Sequence, residues 1–334
     1  MVSSISKSAT IALVGGESLL GREIRDVVAT TDFPAQVSLI ASTDAEAGLL
    51  TEFEGEPAIL GSLDADALRD AKLALLAGSP ESTRTVLKLD IGTPLIDLTY
   101  AAEEDPRARL RAPMVEPADF SAPAGAVHVI AHPAAIAMAL ILNRLHPLFP
   151  ARRSVVHIFE PASERGRPGV DEMQQQTVGL LSFKGQPKAI YDAQVTFNLL
   201  ARFGEEAPEA LEDVELRIER HLATLLSASS RAPIPSLRLI QAPVFHGHSF
   251  SLWVEFEQNP GVAEIERALS GEEIDVRVSD QEPPNVVAAA GQDGIAAGAV
   301  TMDRNHTQAC WIWAAADNLR LMASNAAMVA RQLL

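Results

Sequence analysis

The sequence is poor in cysteine and in positive charge. Cys310 is its single cysteine, so one chain can form neither a disulfide nor a cysteine-rich metal site. Its 27 Lys and Arg residues stand against 44 Asp and Glu residues, which gives a formal net charge of −17 at pH 7. A surface this acidic repels nucleic acid and anionic lipid. We therefore expect neither nucleic acid nor a membrane as a partner.

Long apolar segments are also missing. No uncharged apolar stretch is long enough to span a bilayer, and residues 1–18 contain no apolar core of signal-peptide length. Both absences predict a cytoplasmic protein. His246 and His248 alternate in a strand pattern and could share one face, but no third ligand is near them in the sequence. We expect no metal site.

The composition is that of a folded protein, with 47% hydrophobic and 21% charged residues. At 334 residues the chain is long for one domain, so we expect two. In the first part, short apolar runs alternate with helical patterns, at residues 10–15, 35–42, 73–78, 93–99 and 126–131. This alternation is typical of βαβ units and predicts an α/β domain with a Rossmann-type, doubly wound parallel sheet over residues 1–133.

From Ser154 onward the pattern changes to longer strands of alternating polarity, with two amphipathic helices between them. We expect residues 134–314 to form an α+β dimerisation and substrate domain, in which residues 236–258 make one long strand. A long strand with two distinct faces needs cover on both sides, which predicts a homodimer. Residues 315–334 form an alanine-rich helix that we expect to pack back into the first domain.

A glycine-containing turn, VGGESLLGREI, lies between the first predicted strand and helix. Such a turn lets a pyrophosphate sit on a helix amino terminus, although a plain tight turn is the alternative. Two residues weaken the nucleotide interpretation: Glu17 brings negative charge, and Ser18 stands where the middle glycine of the motif belongs. The candidate cofactor-binding residues of this turn are Gly15, Gly16, Glu17, Ser18, Leu19 and Gly21.

The chain resembles the aspartate-semialdehyde dehydrogenase family along nearly its whole length. The resemblance rests on the order and spacing of several blocks: IALVGGESLLGREI, LIAST, LALLAGSPES, PLIDLT, VEPAD, VVHIFEPASERGRPGVDEM, APVFHGHSFSLWVEFE and WAAADNLRLMASNAAMVA. It implies an oxidoreductase with a Rossmann-type fold. The family reduces β-aspartyl phosphate with NADPH through a cysteine thioester, with a histidine as acid/base and an arginine that holds the substrate carboxylate.

The functional residues of the family are only partly present in this chain. The acid/base histidine falls on His248, and the glutamine after the family's S-T-Y falls on Glu160. The substrate-contacting glutamate falls on Glu219, whereas the substrate arginine is replaced by Gln241. The family's N-P-N-C-S-T falls on HPAAIA, so the nucleophile position is Ala134 or Ala135. The resemblance is therefore to a diverged paralogue, and we expect the thioester chemistry to be absent, because an alanine methyl group cannot attack an acyl phosphate.

The cofactor positions have changed as well. NADP-dependent relatives often carry an arginine after the second strand, where this chain has Asp44. A carboxylate repels a 2′-phosphate and accepts hydrogen bonds from a ribose hydroxyl, so NAD is favoured over NADP. The resemblance also implies cofactor contacts at Ser42 and Gly78.

Three functions remain compatible with the sequence. The first is a homodimeric relative that retains the fold and a dinucleotide cleft without thioester catalysis. The second is a binding or scaffold protein for a metabolite or partner. The third is a dehydrogenase on another substrate, with His248 or Glu219 as acid/base and no covalent intermediate.

Overall fold

A computed structural model describes residues 9–89 and 91–334. Residues 1–8 of the amino-terminal segment examined for a signal peptide thus lie outside the described residues. The chain divides into two compact units. Unit 1 comprises Met1–Pro113, Ala118–Ala131 and Met322–Leu334, and unit 2 comprises Met114–Pro117 and His132–Leu321. The boundaries expected at 133/134 and 314/315 lie close to these divisions and remain predictions about domains.

The strands and helices follow one another in mixed order along the chain. The strands are β1 (Ala9–Val14), β2 (Ala35–Ile40), β3 (Leu50–Phe53), β4 (Glu56–Ile59), β5 (Ala74–Leu76), β6 (Leu95–Asp97), β7 (Ala108–Arg111), β8 (Val127–Ile130), β9 (Ala151–Glu160), β10 (Ser236–Gln241), β11 (His248–Phe256), β12 (Ile274–Arg277), β13 (Ile295–Met302) and β14 (Ala309–Ala316). The helices are α1 (Leu19–Thr30), α2 (Ala65–Arg69), α3 (Pro80–Lys88), α4 (Pro133–Leu145), α5 (Gly166–Leu181), α6 (Leu211–Ala228), α7 (Val262–Leu269), α8 (Val286–Ala289) and α9 (Asn318–Leu333). A short 3-10 helix spans Ala162–Arg165.

Unit 1 is built on a parallel sheet with the strand order β2-β1-β5-β6-β8-β7. The central strands β5, β6 and β8 are buried throughout, as strands covered on both faces should be. This confirms the predicted Rossmann-type, doubly wound parallel sheet. The sequence patterns missed the edge strand β7 and the β3–β4 hairpin, whose alternation is short and mostly exposed.

The closing helix α9 contributes its small residues to the core of unit 1. Ala323, Ala326 and Ala330 are buried in the same cluster as Ile11 and Leu13 of β1. The small side chains let the helix lie close to its neighbours, which agrees with the expected return of the carboxyl terminus to the first domain.

Unit 2 is built on a mixed sheet with the strand order β10-β9-β11-β14-β13-β12. Its three inner pairings are antiparallel, and β10 and β12 are added in parallel at the edges. This confirms the α+β character of this part of the chain.

The prediction of one long strand over residues 236–258 is wrong. β10 ends at Gln241 and β11 begins at His248, and the two lie on opposite sides of β9. Between them the backbone turns through Pro243 and through Gly247, which has φ +85°. His246 therefore lies exposed in a loop, whereas His248 is buried at the start of β11, so the two histidines do not share a strand face.

Candidate functional site

The turn after β1 brings several predicted cofactor positions together at the carboxyl ends of three strands. Gly15 has φ +78°, and a Cβ added there would lie 2.2 Å from Cα of Gly78. A Cβ at Gly78 would in turn lie 2.7 Å from Cβ of Ser42. The backbones after β1, β2 and β5 thus approach as closely as glycine allows, which is the geometry that a dinucleotide turn requires.

Ser18 has a structural role in this turn. Its Oγ accepts a hydrogen bond from N of Gly21 at 2.8 Å and donates one to O of Ala77 at 2.6 Å. Ser18 therefore caps α1, whose first residue is Leu19, and ties it to the segment after β5. A Cβ at Gly21 would lie 2.1 Å from O of Gly15, so the helix starts directly on the turn.

The negative charge of Glu17 is balanced by two arginines. Its carboxylate lies 2.8 Å from Nη2 of Arg22 and 2.5 Å from Nη1 of Arg25, and it also accepts a hydrogen bond from Thr51. Burial acts to raise the pKa of Glu17, but these partners outweigh it and lower the pKa below its ordinary value. The repulsion of an anion expected from the sequence is thereby reduced, while the chain beside the glycine turn carries two guanidinium groups. Gly16 is buried, and its backbone oxygen accepts a hydrogen bond from Nη1 of Arg25 at 3.2 Å.

A carboxylate that the sequence reasoning missed lies at the end of β2. Oε2 of Glu46 accepts hydrogen bonds from N and Oγ of Ser42, both at 2.8 Å. Asp44, which the sequence suggested for this place, is exposed. Glu46 stands two positions after Asp44 and was visible in the sequence as a second acidic residue. Only the folded turn shows that the carboxylate of Glu46 is the one bonded to the end of β2.

In unit 2, the amino terminus of α4 carries the two alanines at the predicted nucleophile position. Ala134 and Ala135 are fully buried. His132 caps this helix, because its Nδ1 accepts a hydrogen bond from N of Ala134 at 3.2 Å. N of His132 donates to Nδ1 of His221, on α6, at 2.9 Å. Burial, reinforced by the nearby His248, lowers the pKa of His132, so the imidazole that lies over the alanines is neutral.

Glu164 in the 3-10 helix lies between this imidazole and His248. Its Oε2 is 3.5 Å from Nε2 of His132, and its Oε1 is 3.9 Å from Nε2 of His248. Nδ2 of Asn318, the first residue of α9, donates to Oε1 of Glu164 at 2.7 Å. Burial, and then the neighbouring Glu160 carboxylate, raises the pKa of Glu164 to about 7. Glu164 is thus a carboxyl group that can change its protonation state near neutral pH.

Arg165 follows Glu164 and is held by two carboxylates. Its Nη2 donates to Oε1 of Glu160 at 2.6 Å, and its Nη1 to Oε2 of Glu209 at 2.5 Å. Glu209 also pairs with Nη1 of Arg217 at 3.1 Å. The guanidinium charge of Arg165 is therefore already matched within the protein.

Gln241 and Glu160 lie opposite each other on the paired strands β10 and β9. Nε2 of Gln241 donates to the backbone oxygens of Glu160 and Ala242, both at 3.0 Å, which orients its amide. Oε1 of Gln241, Oε2 of Glu160 and both ring nitrogens of His248 are buried without a hydrogen-bond partner. We use the name polar cluster for eight of these side chains in unit 2: His132, Glu160, Glu164, Arg165, Glu209, Gln241, His248 and Asn318.

The structure brings three of the four predicted substrate and acid/base residues into this cluster. Glu160, Gln241 and His248 belong to it, whereas Glu219 lies on α6 about 160° around the helix axis from His221. His221 is the residue of α6 that contacts His132. The role of Glu219 remains a prediction. The sequence reasoning missed Glu164, Arg165, His132 and Asn318, since polar residues at helix ends and in a short 3-10 helix carry no periodic signal.

Other candidate groups lie apart from this site. Cys310 is buried in β14, and burial raises the pKa of its thiol to about 12, as in a structural cysteine. Among residues 9–89 and 91–334, no group of three or more His, Cys, Asp or Glu side chains is arranged to hold a metal ion. Within the same residues no helix is long and apolar enough to cross a membrane.

Comparison with known proteins identifies the relatives of this chain. Residues 142–321, more than half of the chain, match the model of the semialdehyde dehydrogenase dimerisation domain. A USG-1 protein homolog of Azotobacter vinelandii is 31% identical over 99% of both chains. An aspartate-semialdehyde dehydrogenase of Rickettsia bellii is 24% identical, again over 99% of both chains.

Comparison with solved structures leads to the same kind of protein. The structure of a probable aspartate-semialdehyde dehydrogenase from Pseudomonas aeruginosa has a TM-score of 0.85 at 26% identity and covers 97% of this chain and 98% of its own. Fold and site therefore define a protein with an NAD(P)-binding oxidoreductase fold. The chain belongs to the aspartate-semialdehyde dehydrogenase family.

Proposed function

We propose that the protein is a homodimeric, dinucleotide-binding member of its family that does not carry out thioester catalysis. The observation that carries this proposal is the pair Ala134 and Ala135 at the amino terminus of α4, both fully buried. A covalent acyl intermediate needs a thiol or hydroxyl group at the reacting position, and a methyl group supplies neither.

The groups around the alanines support the same conclusion. Gln241 stands where the resemblance places the substrate arginine, and its amide is oriented by two backbone oxygens. Arg165 does not replace that arginine, because Glu160 and Glu209 already hold its guanidinium. Losing the nucleophile and the carboxylate clamp removes two separate contributions to transition-state stabilisation.

An activity assay tests this proposal directly. We expect the purified protein to show no phosphate-dependent oxidation of aspartate semialdehyde above a protein-free blank, with either NAD or NADP. An aspartate-semialdehyde dehydrogenase assayed under the same conditions is the positive control. Turnover by this protein that scales with its concentration would overturn the proposal.

The proposed dinucleotide is NAD in preference to NADP. Glycine packing between Gly15 and Gly78 supports close approach of a pyrophosphate, and Arg22 and Arg25 offset the charge of Glu17. The end of β2 favours a ribose over a 2′-phosphate, because the Glu46 carboxylate is bound to Ser42 there and Asp44 is nearby in the sequence. A carboxylate accepts hydrogen bonds from a ribose hydroxyl and repels a phosphate.

Calorimetric titration with NAD and NADP tests the cofactor preference. We expect NAD to bind more tightly than NADP. Glu46→Gln should reduce the ratio of the two affinities by roughly fivefold at low salt, since a like charge near a phosphate costs on the order of 1 kcal/mol. Glu56→Gln, an exposed substitution in β4, is the matched control and should leave the ratio unchanged. Equal affinities for the two dinucleotides in the unmodified protein would contradict the preference.

The proposed homodimer rests on one face of the mixed sheet. Side chains that alternate with the buried ones are only partly covered within the chain: Val155, His157, Phe159, Trp253, Trp311 and Trp313. Trp253 lies opposite Val155 on one side and Trp311 on the other, so they form a continuous aromatic and apolar surface. Aromatic surfaces of this kind are typical of protein interfaces.

A further inference from the structure

Two arginines beside the glycine turn after β1 pair with the same carboxylate, but through different oxygens. Oε1 of Glu17 accepts hydrogen bonds from Nη1 of Arg25 at 2.5 Å and from Oγ1 of Thr51 at 2.7 Å. Oε2 of Glu17 accepts one from Nη2 of Arg22 at 2.8 Å. One negative charge thus faces two guanidinium groups, so these side chains together carry one excess positive charge.

Arg25 is held in place by several contacts besides its ion pair. Its Nη1 also donates to O of Gly16 at 3.2 Å, and its Nη2 donates to O of Glu52 in β3. Its Cζ lies 5.5 Å from the centroid of the Phe53 ring, and only 12% of the side chain is exposed. Arg25 therefore acts as the fixed counterion of Glu17 and joins the glycine turn to β3.

Arg22 is held much less firmly than Arg25. Within the described part of the chain its guanidinium has one partner, Glu17, and 62% of its side chain is exposed. An exposed ion pair contributes little to stability, so Arg22 can leave Glu17 at small cost. Glu17 would keep its bonds to Arg25 and Thr51, and 24% of its side chain is open to solvent.

The guanidinium of Arg22 lies at the amino end of α1. Arg22 belongs to the first turn of this helix, and its side chain reaches back to Glu17, which precedes the capping residue Ser18. Helix side chains lean toward the amino terminus, so this direction is the ordinary one. A pyrophosphate bound to a glycine turn occupies the same end of the helix, and the close approach of Gly15 to Gly78 fits such a group.

We propose that Arg22 exchanges Glu17 for the pyrophosphate when a dinucleotide binds, while Arg25 stays with Glu17. The guanidinium would donate charge-assisted hydrogen bonds to phosphate oxygens, which are stronger than neutral hydrogen bonds. A local cation matters in this protein, because its net charge of −17 repels anionic ligands. The inference rests on the dinucleotide binding of the proposed function and adds the side chain that recognises the phosphates.

Calorimetric titration of the full-length protein with NAD and with ADP tests the role of Arg22. We expect Arg22→Gln to weaken both ligands about tenfold, or about 1.4 kcal/mol, since both carry the pyrophosphate. Arg69→Gln is the matched control, because Arg69 forms a similarly exposed ion pair with Asp66 on α2, and it should change neither affinity. If Arg22→Gln and Arg69→Gln bind the two ligands alike, the proposal is wrong.

Glu17→Gln separates an exchange of partners from simple attraction by a nearby charge. Removing the competing carboxylate should tighten NAD about fivefold, because Arg22 no longer has to leave an ion pair. In the double variant with Arg22→Gln the same change should have no effect, so the two substitutions should not be additive. Equal tightening by Glu17→Gln with and without Arg22 would contradict the exchange. Circular dichroism checks that each variant is folded.

The outcomes distinguish a failure of this proposal from a failure of the proposed function. If neither NAD nor ADP binds the unmodified protein, the proposed dinucleotide binding is wrong and the role of Arg22 falls with it. If both bind the unmodified protein and Arg22→Gln equally well, dinucleotide binding stands and only the role of Arg22 is overturned. The activity assay for thioester catalysis depends on neither result.

Discussion

Arg165 illustrates how a single residue can hold a buried group of charges together. Burial acts to lower the pKa of its guanidinium, but the carboxylates of Glu160 and Glu209 outweigh burial and raise it. Glu160 is completely buried, and burial raises the pKa of its carboxyl group above the ordinary value. A buried ion pair of this kind adds little net stability, yet losing one partner leaves the other charge uncompensated.

We predict that Arg165→Met destabilises the protein by about 3–5 kcal/mol, because Glu160 is left buried without its cation. The double variant Arg165→Met with Glu160→Gln should recover a large part of that loss, since no unpaired buried charge remains. Urea denaturation at pH 8, followed by circular dichroism, measures both.

Arg267→Met provides the control for this pair of variants. Arg267 forms an exposed ion pair with Glu264 on α7, and exposed pairs are worth at most about 1 kcal/mol. Equal destabilisation by Arg165→Met and Arg267→Met would show that the buried pair has no special role.

At the scale of elements, the first βα connection depends on glycine for two distinct reasons. Gly15 adopts a positive φ, and it also leaves no room for a side chain against Gly78. Gly48 has a similar positive φ of +82°, but a Cβ added there would meet nothing within 4 Å. The two positions therefore separate the cost of backbone conformation from the cost of close packing.

We predict that Gly48→Ala costs about 1 kcal/mol in unfolding free energy, which is the ordinary penalty of a left-handed conformation for alanine. Gly15→Ala should cost at least about 3 kcal/mol, because backbone atoms must also move apart. It should abolish dinucleotide binding, whereas Gly48→Ala should preserve it. Urea denaturation and calorimetry measure these effects, and similar losses in both variants would contradict the packing argument.

For the whole molecule, the partly covered face of the mixed sheet predicts an assembly of two chains. We expect sedimentation at micromolar concentration to give a dimer of the 35.7 kDa chain. Interfaces of the obligate kind bury more than about 2,000 Å² and stay associated at that concentration.

Trp311→Glu should shift the equilibrium toward monomer, because it would place a charge within the apolar face. Glu81→Gln, an exposed substitution in α3, is the control and should leave the dimer intact. A monomer under the same conditions in the unmodified protein would contradict the predicted dimer.

The sequence by itself determined the two folding patterns of the chain and its family. Short apolar runs alternating with helices predict a parallel sheet, because strands buried on both faces need apolar residues throughout. The change to alternating polarity after Ser154 predicts the second type of sheet for a similar reason. Both signals are local and periodic, so they can be recognised before any contact is known. The replacements at Ala134, Ala135 and Gln241 could likewise be recognised from the sequence motifs around them.

Only the tertiary structure decided what the non-periodic residues do. It divided residues 236–258 into two strands on opposite sides of β9, because Pro243 and Gly247 interrupt the extended backbone. It selected Glu46 as the carboxylate at the end of β2, where the sequence had suggested Asp44. It also joined Glu164 to Asn318 across 154 residues of chain. Such contacts depend on burial and on the meeting of distant segments, which no local pattern in a sequence encodes.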